Sequence, residues 1–236
     1  MTDRSYLFML NKFTLLFFVL LAMLVSFAAY SHGVDDGTKQ FLMQNQGVAF
    51  VPFLYIGAKH MVTGYDHLLF LVGVIFFLYR TKDVIIYVSL FTLGHSLTLL
   101  FGVLANIQVN AYLIDAIIGL SIVYKGFDNL GGFQRVLGRQ PNTKLAVLIF
   151  GLFHGFGLAT KLQEFKFSEE GLLENLLAFN LGVEIGQFLA LSLVLILLSI
   201  WRRFDSYMQF STVTNTLLMS GGLMLTMLQL TGYFLS

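Results

Sequence analysis

The sequence predicts an all-α integral membrane protein: a bundle of six transmembrane helices behind an N-terminal signal peptide or signal anchor, with a short interfacial or re-entrant helix before the first span. Three observations carry this. Hydrophobic residues make up 57% of the 236 residues and charged residues only 11%, against about 25% charged in a soluble domain. The mean hydropathy is +0.79. The apolar residues fall into runs of membrane length, where about 20 residues cross the hydrocarbon core. The net charge of +1 gives no footing for nucleic acid. The chain has no cysteine, which excludes disulfides and thiolate metal sites and leaves nitrogen and oxygen as the available metal ligands. No low-complexity tract and no convincing internal repeat is visible.

The elements follow in order. Residues 1–31 read as a signal peptide: Arg4 and Lys12 supply a basic start, residues 13–27 a strongly apolar run, and Ala29 and Ser31 small residues at a cleavage site. The alternative is an uncleaved signal anchor, since the apolar run from Leu7 is long enough to span. Cleavage after Ser31 would leave His32 as the first residue, where a free amine beside an imidazole chelates nickel or copper; N-terminal sequencing tests this. Residues 32–46 form a periplasmic segment and residues 47–236 a single transmembrane domain. Its six spans are expected near 64–79, 84–105, 111–130, 144–162, 172–201 and 213–235. Residues 47–63 are apolar as well. Joined to the first span they are too long for one crossing at about 1.5 Å per residue, so they are expected to lie in the interface or to re-enter from the outer side.

Loop charges set the orientation. Arg80 and Lys82, then Arg135, Arg139 and Lys144, then Arg202 and Arg203 mark the odd loops as cytoplasmic, while residues 106–110 carry no charge. The mature N-terminus is then expected on the outer, periplasmic side.

Ionisable groups inside the apolar segments point to function, because each costs about 2.5 kcal/mol or more in hydrocarbon. His60 and His67 are seven residues apart and Asp66 adjoins His67. His95 lies mid-helix, with Thr98 on its face and Ser96 beside it. His154 sits among Gly151, Gly155 and Gly157, where the small-xxx-small step lets another helix approach closely. Asn180, Glu184 and Gln187, spaced i, i+4, i+7, form a polar stripe beside the step Gly182 and Gly186, and such a stripe must face protein or a watery cavity. Asp115 is expected at an outer cavity, and Asp128 as a helix-end charge. The orientation puts most of these groups at mid-depth or in the outer half. Converging imidazoles and carboxylates of this kind handle a metal cation or protons. The blander reading is that they are polar contacts between helices, and the small-residue faces also offer a surface for a second copy.

Four motifs in order carry a resemblance: residues 57–71 (Gly57, His60, Gly64, Asp66, His67, then Leu-Leu-Phe-Leu), residues 91–99 (Phe91, Thr92, His95, Ser96, Thr98, Leu99), residues 154–157 (His154, Gly155, Gly157) and residues 179–187 (Phe179, Asn180, Gly182, Val183, Glu184, Gly186, Gln187). Together they resemble the HupE/UreJ family of hydrogenase and urease accessory membrane proteins, over roughly residues 50 to 190. Many relatives have proline where this chain has Met61. The resemblance implies an inner-membrane permease for nickel, or cobalt, with His60, Asp66, His67, His95, His154 and Glu184 as metal residues. Asn180, Gln187, Asp115, Ser96, Thr98 and His32 are then secondary or pathway residues. No prosthetic group is implied; the divalent ion, nickel, cobalt or zinc, is substrate or ligand. Glu184 is the candidate for exchanging a proton against the metal. The alternative from another class is an intramembrane zinc hydrolase, in which the same cluster activates a water and Ser96, Ser121 or Asn180 holds an oxyanion.

Overall fold

The computed structural model describes Gly37, Phe41, residues 47–163 and residues 170–236. The expected signal peptide, His32 and nearly all of the segment 32–46 lie outside the described residues. The described residues form helices and no strand: α1 (Phe50–Thr63), α2 (Tyr65–Ile75), α3 (Thr81–Leu104), α4 (Ala111–Asn129), a short α5 (Gly132–Leu137), α6 (Thr143–Gln163), α7 (Leu172–Trp201) and α8 (Ser206–Leu235). Polar caps fix several starts. The Asn110 side chain accepts from the Leu113 N–H, and the Asn142 side chain accepts from the N–H groups of Lys144 and Leu145, satisfying donors that a helix N-terminus leaves unpaired.

Among the described residues four helices, α3, α6, α7 and α8, are long and apolar enough to cross a membrane. The other two expected spans differ. Helix α4 has 19 residues but carries Asp115, Lys125 and Asp128. The span expected at 64–79 contains only the 11-residue α2, ended by turns after Ile75.

The stretch before it corrects an expectation. Helix α1 does not lie across the bundle. It runs parallel to α7, with Ala49 and Gly47 bonded to Asn175, Leu54 against Gly182 and Ala58 against Gly186. Further along, the Arg202 guanidinium donates to the carbonyls of Ile75 and Phe76 at 2.7 and 2.5 Å. Helices α1 and α2, broken at Gly64, thus follow each other down the length of α7. The physical reason is packing: Gly57, Gly182 and Gly186 let the α1 and α7 backbones touch, a contact that a helix lying in the interface would forfeit.

Glycine-lined contacts organise the remaining helices too. Helices α3 and α6 run parallel, with Gly94 so close that a Cβ there would sit 2.5 Å from the Leu148 carbonyl oxygen. Helices α4 and α8 cross antiparallel at Gly119 and Gly222. The small-residue faces expected to receive a second copy are therefore used within the chain. Helix α2 lies inside, buried from His67 to Ile75. Connections bearing Arg80, Arg135, Arg139, Arg202 and Arg203 share one end of the bundle, as the contacts of Arg202 with Phe76 and of Asn129 with Gly73 and Asn215 indicate.

Candidate functional site

The helix break builds the site. Gly64 ends α1, its N–H donating to the His60 carbonyl at 2.7 Å, and α2 begins at once. His60 therefore occupies the last turn of one helix, and Asp66 and His67 the first turn of the next. Asp66 Oδ1 accepts from the His67 backbone N–H and stands 2.9 Å from His67 Nδ1. A carboxylate only accepts, so Nδ1 carries the proton and Nε2 keeps a lone pair.

Three further imidazoles surround His67. Its ring centroid is 5.4 Å from that of His60, 5.6 Å from His95 and 4.8 Å from His154. Two imidazoles bound to one ion through nitrogens at about 2.0–2.1 Å place their centroids roughly 5 Å apart, so the spacing suits a shared cation. His154 Nδ1 donates to the Phe150 carbonyl at 2.7 Å, which leaves its Nε2 free in the same way. Fixing one ring nitrogen so that the other presents its lone pair is the usual outer support of a metal-bound histidine. Phe70, Phe91 and Phe179 wall the cluster, with Phe91 5.0 Å and Phe70 5.5 Å from His154 and Phe179 6.1 Å from His60.

The cluster is buried and several of its ring nitrogens are unpaired. His67, His95 and His154 are 4%, 1% and 0% exposed. His60 Nε2, His67 Nε2, both nitrogens of His95 and His154 Nε2 are buried without a hydrogen-bond partner. Leaving a buried polar group unpaired costs about 1–3 kcal/mol, so five such atoms at one place are an expense that packing alone does not explain. As the rings pack, edge to face, no group of three or more His, Asp or Glu side chains among the described residues is already set to hold an ion. Closing on a cation requires the rings to turn.

Other expected residues lie elsewhere. Glu184 is exposed and lines a groove of about 420 Å³ between α3 and α7 with Ser96, Thr92 and Gln187, apart from the rings. The stripe of Asn180, Glu184 and Gln187 straddles the edge of the packed face: Asn180 and Gln187 are buried and Glu184 is not. Gln187 Oε1 accepts from Thr92 at 3.1 Å. Thr98 donates to the Leu152 carbonyl at 2.7 Å and acts as a tie between α3 and α6. Asp115 does not face an open cavity. It is 5% exposed and paired with Lys161 Nζ at 2.9 Å.

Two lysines escaped the sequence reading. Lys161 sits at the end of α6, not free in a loop, and its ammonium acts electrostatically on His60, Asp66 and His154. Lys125 is buried in α4 and paired with Asp128 at 2.7 Å, so Asp128 is not a simple helix-end charge. Their i, i+3 spacing inside an apolar helix was the available signal.

A family model described as HupE / UreJ protein matches residues 36–236. The chain belongs to the HupE/UreJ family. No curated protein and no solved structure matches it. With four helices able to cross a bilayer, this HupE/UreJ chain is a membrane protein, and the family implies a nickel or cobalt accessory or permease role.

Proposed function

We propose that this HupE/UreJ protein is an inner-membrane permease for a divalent transition-metal cation, nickel or cobalt, taken from the periplasm. The observation that carries the proposal is the set of four imidazoles packed around a helix break with five buried nitrogens unpartnered. In this reading α1 and α2 together make one broken crossing, which with α3, α4, α6, α7 and α8 gives six. The end bearing the arginines faces the cytoplasm.

The metal residues are His60, Asp66, His67, His95 and His154. Lone pairs on His67 Nε2 and His154 Nε2 replace water around the ion, and Asp66 supplies negative charge through His67. Imidazole suits nickel and cobalt, and a set without thiolate binds weakly enough to release what it carries. Glu184 leaves the metal set because it lines the side groove. It remains the candidate for exchanging a proton. The hydrolase reading gains no support: Ser121 Oγ donates to the Ile118 carbonyl at 2.6 Å, and Ser96 lines the groove, not the rings.

Purified protein in liposomes, loaded with a metal-sensitive dye and given nickel, cobalt or zinc outside, tests the proposal. Selective entry that His67→Ala abolishes is the expected result. Binding without entry would favour the hydrolase, and neither binding nor entry would leave a structural subunit.

A further inference from the structure

The helix contacts repeat themselves. Gly57 in α1 meets the Phe179 carbonyl of α7, and Gly151 in α6 meets the Phe91 carbonyl of α3. Gly182 packs on Leu54 and Ala58, and Gly94 packs on Leu148 and Leu152. Gly186 meets the Ala58 carbonyl and Met61, while Thr98 bonds the Leu152 carbonyl and meets Gly155. Every one of these correspondences uses the same two shifts: 94 positions between α1 and α6, and 88 between α3 and α7. The sequence follows faintly, as Gly57-x-x-His60 beside Gly151-x-x-His154 and Phe91-x-Leu-Gly94 beside Phe179-x-Leu-Gly182. Helices α1 and α6 run in opposite directions, and so do α3 and α7. Helices α4 and α8, the third members of each half, cross each other antiparallel, with Gly119 and Gly222 each meeting the other's carbonyl.

We infer that residues 50–129 and 143–235 are inverted repeats related by a pseudo-two-fold axis in the membrane plane, and that the protein works as a carrier whose halves exchange conformations about the histidine cluster. His60 and His154 are repeat mates, one from each half, and both contact His67. Ser96 and Glu184 are also mates, and both line the side groove. A site at a repeat interface beside a broken helix is the arrangement that alternating access uses. The halves are not held alike in this state. Helix α4 packs on α6 through Ile114 and Ile118 against Gly157 and through the pair of Asp115 with Lys161, whereas the mate contact, α8 with α1 and α2, is slighter. The α4–α6 contact is therefore the latch that opens in the opposite-facing state.

The inference deepens the permease reading and rests on it for its transport arm. The chain has no cysteine, so Ile114→Cys with Gly157→Cys introduces one defined pair; a Cβ at Gly157 lies 3.1 Å from Ile114 Cγ2. In nickel-uptake liposomes the oxidised pair is expected to lose uptake at least about tenfold and to regain it on reduction, since a locked latch halts exchange. Nickel binding to the oxidised protein stays unchanged. Equal uptake by oxidised and reduced protein overturns the inference. If the unaltered protein carries no metal at all, the permease reading fails, and the moving halves are read separately from spin labels at Leu104 and Phe234, both exposed. Two distances whose proportions shift with nickel support exchange; one distance, unmoved by nickel, overturns it.

Discussion

Two polar clusters are buried in this bundle, and they are built on opposite principles. Near the arginine-bearing end, Lys125 pairs with Asp128 at 2.7 Å, Gln140 donates to the same carboxylate, and Asn129 donates to the Gly73 carbonyl and to Asn215. None of these side chains has a buried atom without a partner among the described residues. At the helix break the histidines leave five nitrogens unpartnered. A satisfied cluster fixes how α2, α4 and α8 pack. An unsatisfied one is held in place by its neighbours and remains available to something that arrives. Burial and polarity are common to both; the hydrogen bonds that are missing tell them apart.

The largest effect separating them should be on stability. Asp128→Ala leaves the Lys125 ammonium buried and unpaired, which costs about 3–5 kcal/mol and should lower the melting temperature in detergent sharply. Lys125→Met combined with Asp128→Leu should recover most of that loss. Should Asp128→Ala melt like the parent protein, the cluster is not structural. His95→Leu should do the reverse: metal uptake falls about 100-fold, or about 2.7 kcal/mol, while the melting temperature holds, because both ring nitrogens that it removes are buried and unpaired. A fall in stability as large as that of Asp128→Ala would make the two clusters alike.

Smaller effects sharpen the contrast. Asp66→Asn keeps the shape but weakens the hold on His67 Nδ1, so nickel affinity should drop about 10-fold, as titration calorimetry would measure. The smallest effect on binding belongs to Glu184→Gln. Nickel affinity should stay within about twofold of the parent, since truncations outside a contact change little, while the pH dependence of uptake flattens. A large loss of affinity would return Glu184 to the metal set.

Much of this was legible from the residues. Hydropathy located α3, α6, α7 and α8, and the cost of ionisable groups in hydrocarbon singled out His60, Asp66, His67, His95 and His154. A stripe at i, i+4, i+7 names a face of α7 without naming the neighbour it meets, so only the structure put Glu184 on the side groove with Ser96. The pairing of Asp115 and Asp128 was not legible because the lysines they meet, Lys161 and Lys125, drew no attention in the sequence. That residues 47–63 pack along α7 and do not lie in the interface was decided only by the contact of α1 with α7. The repeats were hidden because two short glycine signatures, 94 and 88 residues apart, carry little weight until the backbones they serve are seen to touch.

Hydrophobicity and the scarcity of charge by themselves made this chain a helical membrane protein, because backbone polar groups in lipid must pair within helices, and the family followed from the order of its motifs. Which imidazoles meet, which carboxylate is neutralised, and that one half mirrors the other were decided by close packing between helices far apart in sequence. That packing depends on shape at single glycines in facing pairs, and no periodicity along one chain segment records which partner will fill the gap.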